Sequence, residues 1–251
     1  MVDLMKDAAL KMKDTAKVFW ISSCAGLATV LLFLPITVCA ILSSTGNLAF
    51  SISKLWARFM LLTTGVKVKT RGRDRITSGR SYIIISNHQS DYDILALVTG
   101  LGIQFRWIIK KELRSVPLFG YALYASRNIF IDRSDPASAI VSIHKGMDRL
   151  PPGASVMFFA EGTRSLDGKI QPFKKGGFVM ALEKGIPVLP VTVNGSRRIL
   201  PKRSLVFNPG TIEVVVGKPI ETKGYSKETL PELMDRTRQV IISQYTSDQD
   251  G

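Results

Sequence analysis

His88 and Asp93 are the residues of this chain best suited to chemistry. His88 is one of two histidines in 251 residues and lies in the run Asn87-His88-Gln89-Ser90-Asp91-Tyr92-Asp93. Imidazole changes charge near neutral pH, so a positioned histidine can take a proton from a hydroxyl or from water. A carboxylate that accepts from one ring nitrogen fixes the tautomer and leaves the other nitrogen free to act. Two other readings fit the same residues. One is a plain helix cap beside a surface histidine. The other is a metal site through His88, Asp91 and Asp93, although no further His or Cys cluster accompanies it.

The flanking sequence supplies a frame for this pair. Residues 82–85 form an apolar, β-branched run that reads as a buried strand, and residues 94–98 read as the start of a helix. That places His88 at the carboxyl end of a strand, where open α/β sheets bind their ligands. Ser90-x-x-Asp93 fits a capping box with Ser90 as N-cap, which would fold Asp93 back towards the ring. The same alternation continues from residue 66. Strands are predicted at 66–69, 82–86, 105–109, 129–131, 156–159, 188–193 and 212–216. Helices are predicted at about 91–101, 117–126, 136–150, 173–184 and 227–245, with Asp135-Pro136 as a clear helix start. The expected fold is α/β, with a largely parallel central sheet of about seven strands covered by helices. The tail 247–251 is expected to fray.

The first part of the chain differs in character. No charge occurs in residues 18–53, and 18–42 is long and apolar enough to span a bilayer core. Pro35 should kink or break a helix there. Lys6, Lys11, Lys13 and Lys17 lie on one side of the run and Lys54, Arg58, Lys67 and Lys69 on the other, so charge does not select a side. Two basic flanks suit a re-entrant pair of helices that turns at Gly46-Asn47, with the second helix over about 48–62. Anchoring in the cytoplasmic leaflet is preferred, with a full span as the alternative. The chain then divides into membrane-binding helices at 1–64 and an α/β domain at 65–251. Both cysteines, Cys24 and Cys39, lie in the apolar part, so no disulfide framework is expected.

A formal charge of +14, from 34 Lys and Arg against 20 Asp and Glu, calls for an anionic partner. Four basic clusters fall in loops beside predicted strand ends: Lys110-Lys111 with Arg114, Arg127 with Arg133, Arg164 within Glu161-Gly162-Thr163-Arg164-Ser165, and Lys174-Lys175. Arginine offers a planar fork for phosphate oxygens and lysine a mobile point charge. Each cluster by itself is an ordinary solvated loop. Converging beside a His–Asp pair, they suit a phosphate-bearing substrate. The chain lacks a G-x-S-x-G elbow, a Walker loop and a G-x-G-x-x-G turn, and its soluble part has no cysteine. Whatever His88 activates comes from the substrate or from water. His144 reads as structural or solvated.

Taken together, these motifs resemble the glycerolipid acyltransferases, specifically the 1-acylglycerol-3-phosphate (lysophosphatidate) acyltransferases. Asn87-His88-Gln89-Ser90-x-x-Asp93 resembles their His-x4-Asp block and Phe130-Ile131-Asp132-Arg133 their second block. Phe159-Ala160-Glu161-Gly162-Thr163-Arg164-Ser165 resembles the third, and Ile186-Pro187-Val188-Leu189-Pro190-Val191 the fourth. The four blocks occur in order and cover about residues 66–220. Two departures are visible. Ala160 stands where the third block commonly has Pro, and Arg127 stands where the second often has Gly, which adds charge near the phosphate site.

The resemblance implies a membrane-bound acyltransferase of phospholipid biosynthesis, placed on the cytoplasmic face of an inner or equivalent membrane. It would move a fatty acyl group from acyl-CoA or acyl carrier protein to the sn-2 hydroxyl of lysophosphatidate. His88 would be the general base and Asp93 its orienting partner. Lys110 (preferred) or Lys111, Arg133, Glu161, Gly162, Thr163 and Arg164 would bind substrate. No cofactor or metal is expected, and no nucleic acid. Expected partners are the two substrates, an anionic membrane surface and acyl carrier protein. Another lysophospholipid or glycerol 3-phosphate is an alternative acceptor. The rival classes are a metal-dependent phospholipid hydrolase and a non-catalytic basic membrane-surface protein.

Overall fold

The structure is a computed structural model that describes residues 2–246; the predicted fraying of 247–251 lies outside the described residues. The strands are β1 (Val66–Arg71), β2 (Ile83–Ser86), β3 (Phe105–Lys110), β4 (Ile129–Ile131), β5 (Ser155–Phe159), β6 (Val188–Asn194) and β7 (Gly210–Val216). The helices are α1 (Val2–Leu42), α2 (Asn47–Thr63), α3 (Tyr92–Gly100), α4 (Phe119–Ala125), α5 (Pro136–Met147), α6 (Gly176–Lys184), α7 (Ser196–Ile199) and α8 (Leu230–Gln244). All seven predicted strands are present, in the order β1-β7-β6-β2-β5-β3-β4. Neighbouring strands are parallel except for the antiparallel pair β6 and β7.

Alternation along the central strands divides the core. Tyr82 and Ile84 face an apolar layer shared with α2 and α3, while Ile83 and Ile85 face a second layer built with α5, α6 and α8. All four are fully buried. A sheet covered on both faces needs such near-continuous apolar strands. Asn87, just past β2, is buried and locks the strand end to β6: its Nδ2 donates to the Val193 carbonyl at 2.9 Å, and its Oδ1 accepts from the Val193 amide at 2.8 Å. His88 therefore emerges from a rigid strand end.

The N-terminal helices form an antiparallel hairpin. Trp20 Nε1 of α1 donates to the Thr63 carbonyl at the far end of α2, at 3.1 Å. Gly46 makes the turn with φ of 72°, a left-handed conformation that glycine adopts without strain. The expected break at Pro35 does not occur, because α1 runs through it without interruption. Proline leaves the carbonyl four residues back, that of Leu31, without its amide donor. Thr37 Oγ1 donates to a different carbonyl, that of Phe33, at 2.8 Å. Within α1, Met12–Leu42 is long and apolar enough to cross a membrane and only 11% of its most apolar window is buried.

The hairpin turn is fastened to the sheet by a buried arginine. Arg106 of β3 is fully buried, and its Nη2 donates to the Thr45 carbonyl (3.0 Å) and to Asn47 Oδ1 (2.6 Å). Burial lowers its pKa to about 10, so it stays charged at neutral pH. Arg127 Nε adds a bond to the Ser44 carbonyl at 2.9 Å. The connection between α1 and α2 therefore lies against the α/β body.

Some element ends differ from expectation. Helix α3 begins at Tyr92, so Ser90 is not its N-cap; Ser90 Oγ instead accepts from the Tyr92 amide at 3.2 Å. The short helix α7 was not legible in the sequence pattern. His144 on α5 pairs with Glu183 on α6 at 3.0 Å and holds the two helices together, which fits a structural role.

Candidate active site

His88 and Asp93 are joined as their spacing suggested. His88 Nδ1 lies 2.8 Å from Asp93 Oδ2, and Asp93 is fully buried. The same oxygen accepts from the backbone amides of Gln89 (2.7 Å) and Ser90 (2.9 Å). Three donors on one oxygen hold the carboxylate in place. With Asp93 ionised, Nδ1 carries the proton and Nε2 is the acceptor. The imidazole lies flat on Phe159, with ring centroids 3.7 Å apart and planes at 8°. Its side chain is 14% exposed, enough to meet a substrate at the sheet edge.

The loop after β5 is strapped to the loop after β2. Glu161 Oε1 accepts from the His88 amide at 2.7 Å, and the Ser165 amide donates to the His88 carbonyl at 2.9 Å. Glu161 Oε2 accepts from the Gln171 amide at 2.8 Å. Both carboxylate oxygens thus serve the backbone, and the residue is buried. Gly162 has φ of 72°, a left-handed conformation that favours glycine, and it lies against the end of the Lys174 side chain.

Arg133 and Arg164 meet around this loop. Arg133 Nη1 donates to the Gly162 carbonyl at 3.2 Å, and Arg164 forms an ion pair with Asp91. Thr163 Oγ1 contacts Lys202 Nζ at 3.3 Å, and Lys202 also donates to the Arg164 carbonyl at 2.5 Å. Lys202 was not singled out from the sequence. It is one of 34 basic residues, and its place depends on the chain turning back after α7. Lys110 and Lys111 stand at the end of β3, paired with Glu112 (3.4 Å) and Asp132 respectively. Lys111 and then Ser134 hold the Asp132 carboxyl well below the usual carboxylate range. Asp91 is held by Arg164 and does not join His88 and Asp93; among the described residues no three His, Cys, Asp or Glu side chains converge as metal ligands.

Glu161 carries a pH signature. Burial lifts its carboxyl from 4.5 to about 7, its two backbone donors oppose the rise, and the Asp93 charge adds to it. The folded chain then keeps a proton that the unfolded chain releases between those two values. This group's contribution to stability is full below the window, declines as pH rises through it and levels off above. We expect Glu161→Gln to abolish that decline. Between pH 5 and 8, equilibrium unfolding should show the variant gaining on the wild type by on the order of 2 kcal/mol. An unchanged difference would mean that the carboxyl titrates alike in both states. At pH 8 the variant should still hold the His88 loop less firmly, because a carboxamide cannot accept from both amides.

Comparison with known proteins identifies the family of the chain. The profile of the family described as Acyltransferase matches residues 67–194. A 1-acyl-sn-glycerol-3-phosphate acyltransferase of Pseudomonas aeruginosa is 33% identical over 233 residues, covering 86% of this chain and 89% of that protein. The human 1-acyl-sn-glycerol-3-phosphate acyltransferase alpha is 30% identical over 219 residues, 87% of this chain and 77% of the human one. The chloroplastic 1-acyl-sn-glycerol-3-phosphate acyltransferase BAT2 of Brassica napus is 37% identical over 171 residues, 67% of this chain. Of BAT2 and of LPAT1 from Arabidopsis thaliana the chain spans about half the length, 49% and 48%. The fold matches the crystal structure of the 1-acyl-sn-glycerophosphate (LPA) acyltransferase PlsC from Thermotoga maritima with a TM-score of 0.81. Identity there is 24%, over 93% of this chain and 95% of that one. The span matched by the profile contains His88, Asp93, the loop that straps them and the strands that carry both. The chain belongs to the acyltransferase family.

Proposed function

We propose that this protein transfers a fatty acyl group from an acyl thioester, carried by coenzyme A or acyl carrier protein, to the sn-2 hydroxyl of lysophosphatidate, giving phosphatidate. The observation that carries the reading is the His88–Asp93 pair, held at 2.8 Å on a strand end beside a basic loop. An alcohol is a poor nucleophile at neutral pH. His88 Nε2 takes its proton as the oxygen attacks the thioester carbonyl, and the Asp93 charge stabilises the imidazolium formed. The tetrahedral intermediate then collapses with loss of the thiolate, which recovers the proton from His88. A thiol of pKa roughly 8.5 leaves without strong acid assistance. These steps use the residues described, with no covalent acyl-enzyme.

Arg133, Arg164 and Lys202 hold the acceptor's phosphate, with Lys110 or Lys111 at the rim. Arg164 exchanges Asp91 for the phosphate, whose oxygens offer a closer match to its fork. Gly162 and Thr163 shape the loop that presents these cations. Glu161 acts through the backbone of His88 and is a positioning residue. An apolar cavity of about 100 Å³ between α1, α2, α3 and α4, lined by Leu32, Ile36, Trp56, Val98, Trp107 and Leu123, suits part of an acyl chain. Trp107 of its wall stacks on Phe159 (5.4 Å), which stacks on His88, so two aromatic rings stand between the cavity and the base.

Residues 1–64 serve as the membrane-binding part and 65–251 as the acyltransferase domain. Helix α1 exposes Leu27, Val30, Leu31, Leu34 and Ile41 along one side, and α2 exposes Leu55, Phe59 and Leu62. With the hairpin turn tied to Arg106, both helices lie in the leaflet next to the domain, and we assign that leaflet to the cytoplasmic face of an inner or equivalent membrane. The test uses the full-length protein on vesicles with lysophosphatidate and an acyl thioester, with and without chelator. Phosphatidate and free thiol should form in equal amounts with no effect of the chelator. Release of free fatty acid, stopped by the chelator, would replace the reading with a metal-dependent hydrolase.

A further inference from the structure

Away from His88, a groove of about 560 Å³ runs between α2, β1 and the carboxyl end of α3. Arg58, Arg73, Thr70 and Thr99 line one part of it, and Leu61, Leu62, Val66 and Val68 the other. Its position follows from three stripes on α2. Phe50, Ala57, Met60 and Leu61 are buried; Leu55, Phe59 and Leu62 are exposed and apolar; Lys54 and Arg58, one turn apart, fall between them. Arg73 reaches the groove from the turn after β1, lying against Gly102, where an added Cβ would stand 1.6 Å from its Nη2. Lys54, one turn before Arg58, does not line the groove; its ammonium lies over the Phe50 ring, 5.3 Å from the centroid. No ion pair holds Arg58 or Arg73 among the described residues.

Two cations, Arg58 and Arg73, line the groove and no carboxylate does, so it offers an anion site. An anion bound there sits beside aliphatic walls and next to the apolar side chains that α2 turns outward. That combination matches a molecule with a phosphate at one end and hydrocarbon at the other. We infer that Arg58 and Arg73 bind the phosphate of one anionic phospholipid, with an acyl chain along Leu61, Leu62, Val66 and Val68, at a site separate from the reaction centre. The inference rests on the reading that α1 and α2 lie in the membrane surface. It adds a defined lipid to that reading: the bound headgroup fixes the rotation of α2, and with it the domain's orientation on the leaflet.

The full-length protein in mild detergent, titrated with phosphatidylglycerol and followed by native mass spectrometry, provides the test. Phosphatidylglycerol is neither substrate nor product of the proposed reaction. Wild type should retain one molecule at low lipid concentration. Arg58→Gln with Arg73→Gln should weaken that binding about 100-fold, roughly tenfold for each charge-assisted contact removed. Lys67→Gln with Lys69→Gln removes the same charge from the opposite face of β1 and should leave it unchanged. Equal weakening by both pairs would mean diffuse attraction and overturn the site. Displacement of the lipid by millimolar inorganic phosphate would reassign the groove to a free anion. Binding of wild type and both variants to neutral phosphatidylcholine vesicles separates this result from the anchor: failure of wild type to bind there, with phosphatidylglycerol still retained in detergent, would refute the membrane reading and not the site.

Discussion

His88→Ala should lower the proposed acyl transfer by about 1,000-fold or more, within the range that positioned general bases contribute, and should leave the fold and vesicle binding intact. The fold survives because the side chain contributes only one bond to a fixed acceptor and a stack on Phe159. Asp93→Asn loses less, about 100-fold. Its carbonyl oxygen can still accept from His88 and from the two amides that Oδ2 serves, but a neutral group no longer stabilises imidazolium. Its new amide also faces the position of Oδ1, which is buried and has no hydrogen-bond partner. Single-turnover rates on the purified variants measure both losses. Equal rates for His88→Ala and wild type would remove the base from the mechanism.

Arg133→Ala and Arg164→Ala each lower kcat/KM for lysophosphatidate by about 10- to 100-fold, the effect of one lost charge-assisted contact to phosphate. With monoacylglycerol, which lacks the phosphate, each should change the rate by less than about threefold. The ratio between acceptors therefore collapses in the variants. Arg164→Lys should restore only part of the loss, since a point charge lacks the fork that grips two oxygens. Arg164→Ala also frees Asp91, whose carboxylate then repels the phosphate, so this variant should be the weaker of the two. Equal losses with both acceptors would show that these arginines support the loop through contacts such as Arg133 to Gly162 and do not read the headgroup.

Much of this arrangement was legible in the sequence because burial leaves a strong pattern. The sheet is covered on both faces, so 82–86 and 188–193 read as strands without ambiguity. The His88–Asp93 contact followed from a five-residue separation across a helix start, which is local geometry. What escaped was tertiary. The reversed direction of β1 and β7 leaves no mark on their composition. Arg106 sits within a strand of ordinary appearance, and only the packed hairpin turn explains a buried arginine there. Glu161, expected to bind substrate, holds the His88 and Gln171 amides, bonds that span 73 and 10 residues. Lys202 meets Thr163 and Arg164 across 39 and 38 positions, beyond any local pattern. Pro35 gave a clear signal that the structure did not follow, since α1 runs on through it with one amide donor fewer.

The most direct test of the mechanism follows the acceptor's oxygen. Lysophosphatidate carrying ¹⁸O in its free hydroxyl is incubated with an acyl thioester and either wild type or His88→Ala, and the products are weighed by mass spectrometry. The account predicts phosphatidate that retains the label in its new ester with wild type, and almost none with the variant. Loss of the label, or labelled phosphatidate formed equally fast without His88, would contradict it.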